Sequence, residues 1–178
     1  VKPSTTGKDG GDKVRSAGVA PALVRLAVVD DNTFYRDWLG QTGTLPVHHH
    51  VVARAANAEE LAAVLDRLPD RRCDVVLLDL RIMPDREPDP VKGGEKPAAA
   101  IQGTEAIQLL LRVGAELSAA GLLERPPAVL VYTQEAAPRI HVACLLAGAS
   151  GVVHKSESLQ RLGESIDVAA GGGVAVDQ

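Results

Sequence analysis

At 178 residues, 46% of them hydrophobic, the chain is long enough for one core and too short for two comfortable domains, so a single domain with tails is expected. A formal charge of -4, only 2% aromatics and no dominant lysine or arginine cluster argue against direct DNA binding and against a stacking platform for nucleic acid.

Residues 1 to 22 combine Gly, Ser, Thr and Lys without a periodic apolar signal and are expected to form a flexible tail. Thr6-Gly7-Lys8 lacks the preceding strand and upstream glycine of a phosphate loop. Leu23 to Val29 reads as a first strand ending at Asp30-Asp31, and Asn32 or Thr33 can cap a helix through Phe34, Trp38 and Leu39. Val51 to Ala55 reads as a second strand. Asn57 then caps an amphipathic helix from Ala58 to Leu68, with Leu61, Val64, Leu65 and Leu68 on one face. His48, His49 and His50 read as a solvated turn. A metal reading competes with it, but neighbours in an extended segment point to opposite faces, so at most two share an ion, and no Cys or carboxylate is near in sequence.

The apolar run Asp74 to Leu78 reads as a buried central strand that delivers Asp79 to its carboxyl end. Asp85 to Gln102 is rich in Pro, Gly and charge, and is expected to be a long loop. A helix from Gly103 through Ile107, Leu110 and Leu111 runs towards Ala120 and stops at Gly121. Strand four, Ala128 to Tyr132, leads into Thr133, Gln134 and Glu135. Pro138 opens a helix with Ile140, Ala143, Leu146 and Ala147 on its apolar side, and Gly148 closes it. Strand five, Gly151 to His154, precedes Lys155, and Ser156 or Ser158 caps a last helix, Leu159 to about Ala170. Five β-then-α units with nearly continuous apolar strands imply an α/β fold, a parallel sheet with helices on both faces.

Cys73 and Cys144 lie beside or inside these apolar patterns without a CxxC partner and read as buried free thiols, which fits a reducing cytosol. With no run of 18 apolar residues and no signal peptide, a soluble cytoplasmic chain with no membrane partner is expected, and its start at Val1 suggests a piece of a longer product.

In a parallel sheet Asp30, Asp31, Asp79, Thr133 and Lys155 share one edge. Three converging carboxylates repel one another and raise at least one pKa unless a hard cation sits among them, and magnesium answers this by binding oxygens. Asp79, on the central strand, is the candidate nucleophile for an in-line phosphoryl transfer. The Lys155 ammonium can pair with the resulting acyl phosphate, and the Thr133 hydroxyl can donate to another of its oxygens. The new charge then draws both residues inwards, which describes a switch rather than a turnover enzyme.

The set Val-Val-Asp30-Asp31, Leu-Leu-Asp79-Leu-Arg, Val-Tyr-Thr133 and His-Lys155 resembles a bacterial response-regulator receiver domain over residues 23 to 173, including the spacing of 22 positions from Thr133 to Lys155. Gly148-Ala149-Ser150-Gly151 with Lys155-Ser156, and Val168-Ala169-Ala170-Gly171-Gly172, are similar to receivers that precede a LuxR-type helix-turn-helix domain. The resemblance implies a flavodoxin-like doubly wound five-stranded sheet. It implies phosphoryl transfer from a histidine kinase to Asp79, with Mg2+ held by Asp30, Asp31, Asp79 and the backbone carbonyl of Arg81. It also implies a phosphoacceptor with at most self-catalysed phosphorylation and dephosphorylation, a homodimer, and contact with DNA only through an output domain outside this chain. Residues 174 to 178 would begin the linker to that domain.

Four features depart from the family pattern. Met83-Pro84 comes one residue late after Asp79, and 18 residues, Asp85 to Gln102, precede Gly103 where few are usual. Gln134 stands where a small residue normally admits the phosphoryl donor, and Val152 stands where an aromatic normally rotates on activation. They keep a second reading open: an atypical receiver that works unphosphorylated, through dimerisation or a ligand at the same pocket. A phosphatase would need a second carboxylate two residues after Asp79, and Arg81 holds that place.

Overall fold

In the computed structural model, which describes residues 21 to 80 and 102 to 175, every strand runs parallel in the order β2-β1-β3-β4-β5. The strands are β1 (Val24–Val29), β2 (His49–Ala55), β3 (Val75–Leu78), β4 (Ala128–Thr133) and β5 (Gly151–His154). They alternate with α1 (Thr33–Leu39), α2 (Ala58–Ala62), α3 (Gln102–Ala119), α4 (Pro138–Leu146) and α5 (Leu159–Ala170).

Pleating divides each strand between two cores. Ala27 and Val29 of β1, Val76 and Leu78 of β3, and Val129 and Val131 of β4 face one side, where Leu61, Ile107, Leu110, Ile140 and Cys144 bring α2, α3 and α4 onto the sheet. Leu26, Val28, Val75, Leu77 and Leu130 face the other, covered by Leu39 of α1 and Leu162, Ile166 and Ala169 of α5. This is the expected doubly wound α/β arrangement. Strand order reverses at β1, so the crevice between the carboxyl ends of β1 and β3 is where such sheets bind their ligands.

Local chemistry explains most boundaries. The side chains of Asn32, Asn57 and Ser158 accept backbone N–H bonds at the starts of α1, α2 and α5. Beyond Gly171-Gly172-Gly173 the chain still packs on the sheet, for Ala175 bridges to Gly151 and donates to the Ser150 carbonyl at 2.7 Å.

Two helices depart from the sequence reading. The helix expected from Ala58 to Leu68 ends at Ala62 and continues as a 3-10 turn, Leu65–Arg67. Pro69 forces Leu68 into an extended conformation, so the chain tightens before it, and Leu65 and Leu68 still reach the core while Val64 is left exposed. On α4, Ile140 and Cys144 are buried, but Leu146 is 84% exposed because the helix rests on the sheet by a narrow stripe. Both cysteines are buried and free, and burial pushes the Cys73 thiol up to about 12. Among the described residues no helix is long and apolar enough to cross a membrane.

Candidate functional site

Backbone pairing sets the positions of the polar residues just past the strands. Asp30 donates its N–H to Ala55, Asp79 to Val29 at 2.8 Å, and Lys155 to Thr133 at 2.7 Å, so each ladder runs one residue beyond its strand. The five residues expected at one sheet edge are therefore brought together there.

Lys155 is the hub. Its side chain is 4% exposed, and its Nζ lies 2.7 Å from Asp30 Oδ2 and 3.2 Å from Asp79 Oδ1. The ammonium also sits 4.3 Å from the centre of the Tyr35 ring, on whose face a cation is favoured. Asp30 is buried and receives the Asn32 N–H on Oδ1, while Arg36 donates to its carbonyl at 2.7 Å. The Thr133 hydroxyl is buried, donates to the Leu80 carbonyl at 3.4 Å and accepts from the Glu135 N–H. Gly103 lets α3 close on this site, because a Cβ there would collide with the Leu80 side chain.

Burial pushes the Asp79 carboxyl above its ordinary range, and the Asp30 carboxylate adds to this against the pull of Lys155. The folded chain thus holds a proton on Asp79 more readily than the unfolded chain does. The stability this represents is complete below about pH 4 and is lost as pH rises through the raised pKa. Asp79→Asn removes the penalty, so the variant is expected to melt above the parent at neutral pH. Thermal melts across pH check this: the gap should close in acid.

One oxygen each from Asp30, Asp31 and Asp79 lie within 4.8 Å of one another. This all-oxygen, partly buried set has the donor chemistry of a hard divalent cation such as magnesium, which binds oxygens. Arg81, expected to add a carbonyl, lies outside the described residues, as do residues 85 to 101 of the inserted loop.

A cavity of about 350 Å³ opens over Asp79, Thr133 and Lys155. Gln134 is at its rim, with Nε2 3.3 Å from the Tyr35 hydroxyl. The Gln134 carbonyl is bonded to His154 Nε2 at 2.9 Å. Val152 is buried in the core, so no aromatic occupies that position. Tyr35 escaped the sequence reading, although a signal existed: three of the chain's four aromatics, Phe34, Tyr35 and Trp38, fall within five residues at the start of α1.

The three histidines do not form a solvated turn. His50 is exposed, but His49 is buried, and His48 and His49 both reach Asp167 of α5, with Nε2 to Oδ1 distances of 3.0 and 2.7 Å. His48 precedes β2 and occupies a turn rather than a pleated strand, which frees its ring to swing to the side of His49.

Comparison with solved structures agrees with this fold. No family model matches the chain, and no curated protein does. Among solved structures, the signal receiver domain of the response regulator NarL from Mycobacterium tuberculosis is 22% identical with a TM-score of 0.54, over 85% of this chain and 99% of that one. A LuxR-family two-component response regulator from Aurantimonas is 23% identical with a TM-score of 0.56, over 88% and 90%. A chain of the CheX-CheY-BeF3-Mg2+ complex from Borrelia burgdorferi is 17% identical with a TM-score of 0.54, over 80% and 86%. The chain therefore has the flavodoxin-like fold of response-regulator receiver domains.

Proposed function

We propose that the chain accepts a phosphoryl group on Asp79 from a histidine kinase and uses it to switch a transcription-regulating output domain. The observation that carries this reading is the buried Lys155 ammonium, bonded to both Asp30 and Asp79 beneath an open cavity. An Asp79 oxygen attacks the phosphorus of a phosphohistidine. The new P–O bond forms as the P–N bond breaks, and the imidazole leaves with the electron pair and takes up a proton. Magnesium held by Asp30, Asp31 and Asp79, with the Arg81 carbonyl, would neutralise charge on the phosphoryl oxygens. Lys155 leaves Asp79 Oδ1 for a phosphoryl oxygen, and the Thr133 hydroxyl exchanges the Leu80 carbonyl for another. Both moves displace the segments after β4 and β5, which pass the change to a homodimer surface and to the linker after residue 173.

Trp38, the single tryptophan, lies beside Tyr35 with ring centres 6.3 Å apart and so reports on the pocket. Beryllofluoride, a mimic of the acyl phosphate, is expected to change Trp38 fluorescence only with magnesium present and not in Asp79→Asn. An unchanged signal in the parent, with no beryllofluoride retained, would count against the reading.

The contact between Gln134 and Tyr35 supports the second reading, a receiver acting without phosphate, because it narrows the approach to Asp79. Gln134→Ala separates the two. A faster reaction with a small phosphodonor marks Gln134 as an access filter on a working phosphoacceptor. No reaction in either protein favours the unphosphorylated form.

A further inference from the structure

The geometry points to a second metal site, for a borderline-soft divalent cation such as zinc, formed by His48 and His49 at the start of β2 and Asp167 on α5. It lies at the opposite sheet edge from Asp79 and is independent of the phosphoacceptor reading.

Three donor atoms converge there. Both imidazole Nε2 atoms lie on a single oxygen, Asp167 Oδ1, at 3.0 and 2.7 Å, and the two rings are 4.2 Å apart. Donors on a tetrahedral zinc are about 3.3 Å apart, so the two nitrogen–oxygen separations need to open by only about 0.3 and 0.6 Å to admit the ion. The backbone holds both histidines in place: Val24 donates to the His48 carbonyl and His49 donates to the Pro46 carbonyl, each at 2.8 Å. The His49 side chain is fully buried, while Asp167 is 47% exposed, which leaves a solvent path and an open position for water.

His49 Nδ1 is buried with no hydrogen-bond partner, so the ring's polar contact is made by Nε2, which is turned to Asp167. Two nitrogens and one carboxylate suit zinc, cobalt, nickel or copper and not magnesium, which prefers oxygen. The two such clusters among the described residues therefore differ in the cations they suit. Filling this one ties the carboxyl end of α5 to the sheet, and it adds stability that grows with the logarithm of free metal.

The test uses the full metal-free chain in excess magnesium, titrated with Co2+ as a spectroscopic probe and then Zn2+. One Co2+ per chain with visible bands of a four-coordinate site is expected. His48→Gln and Asp167→Asn should each weaken it by at least about tenfold, since losing even a ligand's supporting partner has that effect. Asp31→Asn should leave it unchanged. Because a variant can misfold, ¹⁵N spectra of the parent's imidazoles provide an independent readout: Zn2+ should shift His48 and His49 and leave His50, His141 and His154 in place. Absence of Co2+ binding, binding that survives both ligand substitutions, or unmoved His48 and His49 signals would overturn the site and leave a hydrogen-bonded clasp only.

Discussion

Replacing Lys155 with methionine is expected to destabilise the chain by about 3 to 5 kcal/mol at neutral pH, the usual effect of removing one partner from a buried ion cluster. Methionine keeps most of the aliphatic stem, so the loss isolates the charge. Without the ammonium, Asp30 at 3% and Asp79 at 15% side-chain exposure face each other with no counter-ion. The melting temperature should fall by about 10 °C. Two dependences distinguish this from a packing defect. The deficit should shrink as pH falls through the carboxylate range, because a protonated carboxyl no longer repels its neighbour. Magnesium should restore more stability to Lys155→Met than to the parent, since it supplies the missing positive charge. A deficit indifferent to both would show that the ion cluster is not what the lysine sustains.

The second large effect is expected at the opposite end of β3, away from the proposed chemistry. The Asp74 side chain is fully buried and accepts from the Arg25 N–H at 2.8 Å, Arg72 Nε at 3.0 Å and Arg125 Nη2 at 2.6 Å. Its backbone joins three strands, donating to the Arg25 carbonyl and accepting from the Ala128 N–H. Burial alone would raise its pKa, but the Arg25 N–H and the two guanidinium groups together hold the carboxyl below its usual range. Asp74→Ala leaves the part-buried Arg25 N–H without its acceptor, whereas Arg72 and Arg125, at 30% and 45% exposure, can turn to water. The expected loss is about 2 to 4 kcal/mol in urea unfolding. A group with a depressed folded pKa stabilises above its unfolded pKa and loses that contribution as pH falls through the folded value. The parent's advantage over Asp74→Ala should therefore be present at neutral pH and fade in acid below the usual carboxylate range. Beryllofluoride binding, at the other sheet edge, should survive the substitution.

The sheet and the acidic edge were legible because they rest on local signals: each strand carries an apolar run, interrupted by Arg25 in β1 and Arg54 in β2, and Asp30, Asp79, Thr133 and Lys155 stand at or just past strand ends. Asp30, Asp79 and Lys155 could be placed at one edge once the strands were taken as parallel, since pairing in register carries all three to it. What escaped the sequence depends on long separations. Nothing near His48 and His49 announces Asp167, 119 and 118 positions away, so a turn exposed to solvent was the natural expectation. The partners of Asp74 have the same character, for Arg125 arrives from 51 residues on. Tyr35 reads as an ordinary residue on a short helix until β5 brings Lys155 beneath its ring. The early end of α2 is a different case: Leu61, Leu65 and Leu68 suit both an α-helix and a tighter turn, and only Pro69 decides between them.

Intact mass gives the most direct test of the central claim. The purified chain, with magnesium and acetyl phosphate, is expected to gain the mass of one phosphoryl group, and Asp79→Asn is expected to gain none. No gain in the parent, with a histidine kinase also tried as donor, or an equal gain in Asp79→Asn, would contradict Asp79 as the phosphoacceptor.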